Sequence, residues 1–138
     1  MTDFAKLRTI EEACLPRIEI LLHRDGDGTV PVIAWMHSLP QKARDKIRTR
    51  IRRLLELGYE LRRPEADYLR DGIYELRASQ RGVQYRILYF FHGRGTAVIS
   101  HGLIKDAIVP PGEIDRAVRR RKNFRSNPDA HVNIEEIE

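Results

Sequence analysis

Two stretches of sequence decide the fold: Asp71-Gly-Ile-Tyr-Glu-Leu-Arg77 and Tyr85-Arg-Ile-Leu-Tyr-Phe-Phe91. Both are rich in β-branched and aromatic residues, and the turn-forming residues Ser79 to Gly82 separate them, as in two antiparallel strands joined by a short link. A third run of the same kind follows after another glycine-containing link. The sequence therefore predicts a three-stranded antiparallel meander formed by Gly72–Ala78, Val83–Phe91 and Thr96–Gly102.

Two helices are predicted before this meander. Apolar positions recur at three- and four-residue spacing from Pro31 to Leu39 and from Gln41 to Leu57, which is the period of an amphipathic helix. Pro40 separates the two helices, and Gly58 is a C-terminal stop for the second. Two such helices form a helical hairpin whose apolar stripes need a sheet to cover.

The segments on either side complete the predicted fold. Residues 17–23 alternate as a strand does, and Asp25-Gly-Asp-Gly28 after them is a turn; a calcium loop would need Glu where residue 36 is Met. Residues 112–122 have acidic residues in the first turn and basic ones in the last, which suits a helix dipole. We therefore expect an α+β fold, with a helical hairpin packed on a small antiparallel sheet and a C-terminal helix.

Length and composition predict one folded domain. A chain of 138 residues fits one hydrophobic core, and we expect an N-terminal arm (1–16), the folded domain (17–125) and a flexible tail (126–138). Cys14 is the single cysteine, so an intramolecular disulfide is excluded, and a small buried residue in a reducing compartment is expected there. No apolar run is long enough to span a membrane, and we expect a cytoplasmic protein.

The charge balance favours a polyanionic partner. Lys and Arg number 25 against 20 Asp and Glu, and the basic residues concentrate in residues 41–63 and 116–125. A solvated helix face is the alternative explanation for each run, but two runs in so small a domain favour nucleic acid. The candidate RNA-binding residues of these runs are Arg48, Arg52, Arg119 and Arg120.

Strand alternation places charged residues on the second face of the meander. Pairing of Ala78 with Val83 would align the apolar faces of the first two strands against the helices, leaving Glu75, Arg77 and Arg86 together on the other face. We expect this face not to be needed for the main core. Paired arginines there would suit a phosphodiester. The alternative is a cross-strand Glu75–Arg86 salt bridge on a solvated face.

Four motifs, in this order after a helical hairpin, resemble the phage-derived HigB-type branch of the RelE/ParE toxin superfamily. The likeness spans about residues 17–124. The motifs are Gly72-Ile-Tyr-Glu-Leu-Arg77, Tyr85-Arg-Ile-Leu-Tyr89, His101-Gly-Leu-Ile-Lys105 and Pro111-Gly-Glu-Ile-Asp-Arg-Ala117.

The resemblance implies a microbial-RNase-like fold, neutralisation by a cognate antitoxin, expected to be of the helix-turn-helix type, and cleavage of mRNA on the ribosome. It implies no metal and no other cofactor. In such cleavage the 2′-hydroxyl is deprotonated and attacks its own phosphate, while cationic side chains stabilise the developing charge.

Carried over by position, Arg86 matches the family's phosphate-binding strand arginine and Lys105 the basic position after the last strand. Arg77 is a looser match and a plausible substrate contact. The lysines that RelE-type members carry on the first meander strand are replaced by Ile73 and Glu75.

Two further departures leave the general base unassigned. Asp106 stands where the HigB branch often has a second basic residue, and the late Tyr or His of the family has no clear equivalent, because Phe124 cannot transfer a proton and His131 lies in the expected tail. Glu75 and His101 are the candidates. A strand histidine hydrogen-bonded within the fold is the alternative for His101.

Three functions are compatible with these features. The leading hypothesis is a toxin that cuts mRNA in a ribosome-dependent manner and so inhibits translation. The second is a ParE-like, non-enzymatic inhibitor of DNA gyrase, which the missing lysines favour. The third is a basic nucleic-acid-binding domain without toxicity.

Overall fold

A computed structural model describes residues 18–133, which form a six-stranded sheet with helices on both faces. The predicted N-terminal arm, Cys14 and residues 134–138 lie outside the described residues. In chain order the elements are β1 (Glu19–His23), α1 (Pro31–His37), α2 (Gln41–Leu57), β2 (Ala66–Arg70), β3 (Ile73–Gln80), β4 (Val83–Phe91), β5 (Thr96–Ile104), α3 (Pro111–Ser126) and β6 (Val132–Asn133).

The predicted fold class is confirmed, with a helical hairpin on the sheet and a C-terminal helix. The strand order is β2-β3-β4-β5-β1-β6, and β3, β4 and β5 form the predicted antiparallel meander. The sheet is mixed rather than wholly antiparallel because β1 pairs parallel with β5. A parallel pair requires a long crossover connection, and here that connection contains both helices of the hairpin and the first strands of the meander.

The register of the β3–β4 hairpin differs from the predicted register by two residues. Ala78 lies opposite Tyr85, because the strands continue to Gln80 and Val83 and leave only Arg81-Gly82 as the turn. Both turn residues have positive φ, 51° and 78°, as tight two-residue hairpins require. A two-residue shift leaves every side chain on its predicted face.

The first face of the sheet is covered by α1 and α2. The apolar side chains of α2 pack against strand residues such as Leu76 and Ile87, which are fully buried. Trp35 of α1 lies directly over Gly102, where an added Cβ would come within 2.1 Å of the indole ring. Only glycine therefore allows α1 to approach β5 this closely.

The second face is partly covered by α3, which corrects the expectation that the core does not need it. Helix α3 packs Ala117 and Phe124 against Ile73, Leu88 and Phe90, and all five residues are buried. The charged residues predicted on this face therefore lie beside a second hydrophobic core, in the half that α3 leaves open.

Two further elements differ from the expectation. Strand β2 was not predicted; it pairs antiparallel with β3 through a turn at Asp71-Gly72, whose φ values are 51° and 80°. After α3 the chain is not simply a loose tail, because residues 128–131 form a 3₁₀ turn and β6 pairs antiparallel with β1. No helix in residues 18–133 is long and apolar enough to cross a membrane.

Candidate functional site

A buried carboxylate between two guanidinium groups forms the centre of the open half of the second face. Glu75 is only 2% exposed. Its Oε1 accepts a hydrogen bond from Arg86 Nη1 at 3.0 Å, and its Oε2 accepts one from Arg77 Nε at 3.0 Å. Arg77 and Arg86 are directly opposite each other in the β3–β4 register, and like charges there repel. Glu75 offsets that repulsion, so the predicted salt bridge is present, but it is buried rather than solvated.

The edge strand β2 extends this group of charges. Arg77 Nη2 also donates to Asp67 Oδ2 at 3.3 Å, and Arg63 Nε donates to the same oxygen at 2.9 Å. The hydrogen bond from Arg63 is the main reason that the pKa of Asp67 lies below its usual value. Residue alternation on the meander alone did not reveal Asp67 or Arg63; the Asp-Gly turn that precedes β3 was the available signal.

The remaining donors of Arg86 are directed at the backbone that follows β5. Arg86 Nε donates to the carbonyl oxygen of Lys105 at 3.3 Å, and Nη2 donates to the carbonyl oxygens of Ala107 at 3.1 Å and Asp106 at 3.4 Å. Arg86 is 9% exposed. Its guanidinium group therefore joins the Glu75 carboxylate to the loop of residues 105–109.

A cavity of about 390 Å³ opens above this group. Its charged wall consists of Asp67, Glu75, Arg77 and Arg86, and its aliphatic wall consists of Leu69, Ala107, Ile108 and Val109. The side chain of Lys105, at the start of the same loop, is exposed and has no hydrogen-bond partner within residues 18–133. The open part of the second face thus combines a buried carboxylate with two guanidiniums, and the exposed ammonium group of Lys105 follows on the loop beside it.

His101 lies on the same face but in the half that α3 covers. It is adjacent to Leu88 in the register, and Leu88 separates it from Glu75. Its Nε2 is 3.0 Å from Glu113 Oε1, and its Nδ1 is 3.0 Å from Arg120 Nη1, so the partners fit a neutral ring that donates from Nε2. Burial, with the charge of Arg120, lowers the pKa of His101 to about 4. This placement agrees with the alternative given for His101 in the sequence analysis, a strand histidine that is hydrogen-bonded within the fold.

Arg120 is held by the interior rather than directed at solvent. Its Nε and Nη2 donate to the two carboxylate oxygens of Asp25 at 3.0 and 3.1 Å. Fully buried His23 lies beside this pair and stacks on His131, with Nε2 3.2 Å from Asp25 Oδ1 but not aligned for a hydrogen bond. Burial lowers the pKa of His23 to about 4. Within residues 18–133, no three His, Cys, Asp or Glu side chains are arranged to hold a metal ion.

The other predicted RNA-binding residues are not brought together. Arg48 and Arg52 lie on α2, over the first face, whereas Arg119 and Arg120 lie on α3, over the second face. Arg48 donates to Asp45 at 3.2 Å. Arg52 and Arg119 are exposed and have no ion-pair partner in the described part of the chain.

Comparison with protein families gives one match. The family model for phage-derived Gp49-like proteins (DUF891) matches residues 34–122, which is more than half of the chain. The matched span contains Glu75, Arg77, Arg86 and the whole loop of residues 105–109. No curated protein matches the chain.

Proposed function

The chain belongs to the phage-derived Gp49-like family of toxin–antitoxin toxins, which are related to the RelE-like toxins, and from this premise we propose that it is a metal-independent mRNA endonuclease acting on the ribosome. Membership of this family implies an antitoxin partner. We also propose that this antitoxin is of the helix-turn-helix type, that the chain belongs to the HigB branch and that it acts in the cytoplasm. The observation that carries it is the Glu75 carboxylate, held by two arginines at the wall of an open cavity.

In the proposed reaction, Glu75 takes the proton of an RNA 2′-hydroxyl group. The resulting oxygen attacks the adjacent phosphorus, the bond to the 5′-oxygen of the next nucleotide breaks, that oxygen takes a proton from water to leave as a 5′-hydroxyl, and a 2′,3′-cyclic phosphate forms. A carboxylate oxygen has more than one acceptor direction, so the ion pairs with Arg77 and Arg86 leave Glu75 with acceptor capacity. The preorganised guanidinium of Arg77, which is about one-third exposed at the cavity wall, stabilises the negative charge that develops on the phosphate.

The remaining predicted site residues take separate roles in this proposal. Lys105, which is exposed and directly follows β5, contacts the phosphate backbone. Arg52 and Arg119 contribute long-range attraction to RNA, and Arg48 and Arg120 do so less because Asp45 and Asp25 already pair with them. His101 is assigned a structural role beneath α3, since Glu113, Ser100 and Arg120 surround its ring nitrogens.

Cleavage of a labelled mRNA, with and without ribosomes, tests the proposal directly. The wild-type protein is expected to cut within the A-site codon only when ribosomes are present. Arg77→Ala is expected to abolish most of the cutting, and Arg52→Ala, an exposed arginine far from the cavity, is the matched control that keeps it. Intact mRNA in the wild-type reaction would contradict an endonuclease, and RNA binding without products would support the non-toxic binding domain.

Inhibition of DNA gyrase is the second candidate. The observation in its favour is that both side chains considered as general bases already have internal partners, Glu75 with two arginines and His101 with Glu113. A non-enzymatic toxin needs no free base. Inhibition of supercoiling by the purified protein, together with uncut mRNA, would select this function.

A further inference from the structure

Arg86 uses its guanidinium group on protein atoms. Four hydrogen bonds leave its three nitrogens, one to Glu75 and three to the consecutive carbonyl oxygens of Lys105, Asp106 and Ala107. A phosphate is normally gripped by two parallel N–H groups of one arginine. With one edge of the fork on Glu75 and the Nε/Nη2 edge on the loop, neither edge of Arg86 is free for such a grip.

From these contacts we infer that Arg86 is a positioning residue, which fixes the 105–109 loop at the cavity and does not itself bind the scissile phosphate. The effect of Arg86 on RNA cleavage rests on the proposed function, whereas its hydrogen bonds to the loop do not. The loop has little other support at its centre: the backbone N–H of Lys105 donates to Gln84 at 3.0 Å, and Val109 is buried against α3 at the far end. Between these points, Arg86 is the side chain among residues 18–133 whose hydrogen bonds hold the loop backbone.

The loop carries two exposed side chains, Lys105 next to the end of β5 and Ile108 at the cavity. Lys105 supplies the unpaired ammonium group, and Ile108, 84% exposed, stands at the end of the aliphatic wall. Because Arg86 binds three consecutive carbonyl oxygens, the loop is held in one backbone conformation, and this fixes the position of the Lys105 backbone. The same guanidinium holds Glu75, so the proposed base and the proposed phosphate contact are fixed relative to each other.

Backbone ¹⁵N relaxation measures how rigidly the 105–109 loop is held, independently of any catalytic activity. In the wild-type protein the amides of residues 106–108 are expected to have order parameters near those of rigid backbone, about 0.85. Arg86→Lys keeps a positive charge for Glu75 but loses the planar fork, and the order parameters are expected to fall below about 0.6. Arg77→Lys is the matched control, because Arg77 touches Glu75 and Asp67 and no loop carbonyl. Unchanged loop order in folded Arg86→Lys would overturn the inference.

A double-mutant cycle with Lys105 tests whether Arg86 acts through the loop. Single-turnover cleavage on ribosomes is measured for Arg86→Lys, Lys105→Ala and the double variant. If Arg86 works by placing Lys105, the double variant should be slower than the worse single variant by less than about twofold. Independent phosphate contacts would instead multiply their losses, as expected for the comparison pair Arg77→Lys and Lys105→Ala. Multiplied losses for Arg86 and Lys105 would overturn the inference.

The relaxation experiment and the cleavage experiment distinguish failure of this inference from failure of the proposed function. A wild-type protein that leaves mRNA intact contradicts the endonuclease, while the relaxation experiment still decides whether Arg86 fixes the loop. If Arg86→Lys does not fold, Arg86→Gln, which keeps one nitrogen donor of three, replaces it in both arms. Loop order that is already low in the wild-type protein would also contradict the positioning role.

Discussion

Two groups of charged side chains lie on the same face of one sheet, and only one of them lines the cavity. The open group consists of Glu75, Arg77 and Arg86 beside the cavity. The other group, named the covered group because α3 lies over its strand residue His101, joins α3 to the sheet and consists of Asp25, His101, Glu113 and Arg120. Both combine carboxylates with guanidiniums, so residue type does not separate a reactive site from a structural network. The position of α3 does.

Neutralising one carboxylate in each group gives the largest expected contrast. Glu75→Gln removes the proposed general base and should lower single-turnover cleavage by about 10²- to 10⁴-fold. Glu113→Gln removes a carboxylate of the same type from the covered group and should leave cleavage within about twofold of wild type, because a glutamine oxygen still accepts from His101. Equal losses in the two variants would show that the comparison is wrong.

Acid should weaken the contacts of the two buried histidines, His23 and His101. The pKa values of His23 and His101 are lowered from 6.5 to about 4, so the unfolded chain binds protons first as the pH falls below 6.5. Stability is therefore complete above this pH and is lost towards pH 4, with roughly 2 kcal/mol of unfolding free energy lost per histidine at pH 5. Urea unfolding at several pH values measures this loss. His101→Gln should flatten the dependence, and an unchanged slope would contradict the assignment.

Loss of one arginine should cost more stability in the covered group. Arg120→Ala leaves Asp25 and the Nδ1 of His101 without their charged partner and should lower the unfolding free energy by about 1 to 3 kcal/mol. Arg77→Ala removes a side chain that is about one-third exposed, and its cost should be within about 1 kcal/mol. Urea unfolding at pH 7 compares them; a reversed order would mean that α3 does not protect the covered pair.

Exposed cations outside both groups should have the smallest effects. Arg52→Ala and Arg119→Ala should each leave cleavage chemistry unchanged and reduce the salt dependence of RNA binding by about one unit of slope. Titrations of labelled RNA at several salt concentrations measure that slope. A larger change in cleavage than in binding would place either arginine in the site itself.

The helical hairpin and the strand faces could be predicted because they depend on local patterns. The apolar spacing of Gln41–Leu57 and the stop at Gly58 give the exact bounds of α2, and Gly58 has the positive φ, 55°, that such a stop requires. Alternation placed Glu75, Arg77 and Arg86 on one face regardless of the two-residue error in register. Strand β2 could also be predicted in principle, because the Asp71-Gly72 pair that precedes β3 is a strong hairpin signal.

The partners of the site residues could not be predicted in the same way. That Arg86 reaches the carbonyls of residues 105–107, and that Arg120 pairs with Asp25, depends on distances between elements remote in sequence. From residue type alone, His101 is expected to have the ordinary pKa of a histidine. Its pKa is lowered by burial under α3, which depends on tertiary contacts. Residue type indicated which groups were candidates, and tertiary contacts divided them between the cavity and the interior.

The position of β1 between β5 and β6 also has a consequence for the order of folding. Its parallel partner comes after the whole meander and its antiparallel partner after α3, so neither is available while the first half of the chain is being synthesised. Long-range pairings of this kind close large loops and form late. The Asp25–Arg120 pair, which joins the end of β1 to α3, can form only with them. The meander that contains Glu75 can thus assemble locally, but α3 is fixed over the sheet only after residues 132–133 have been synthesised.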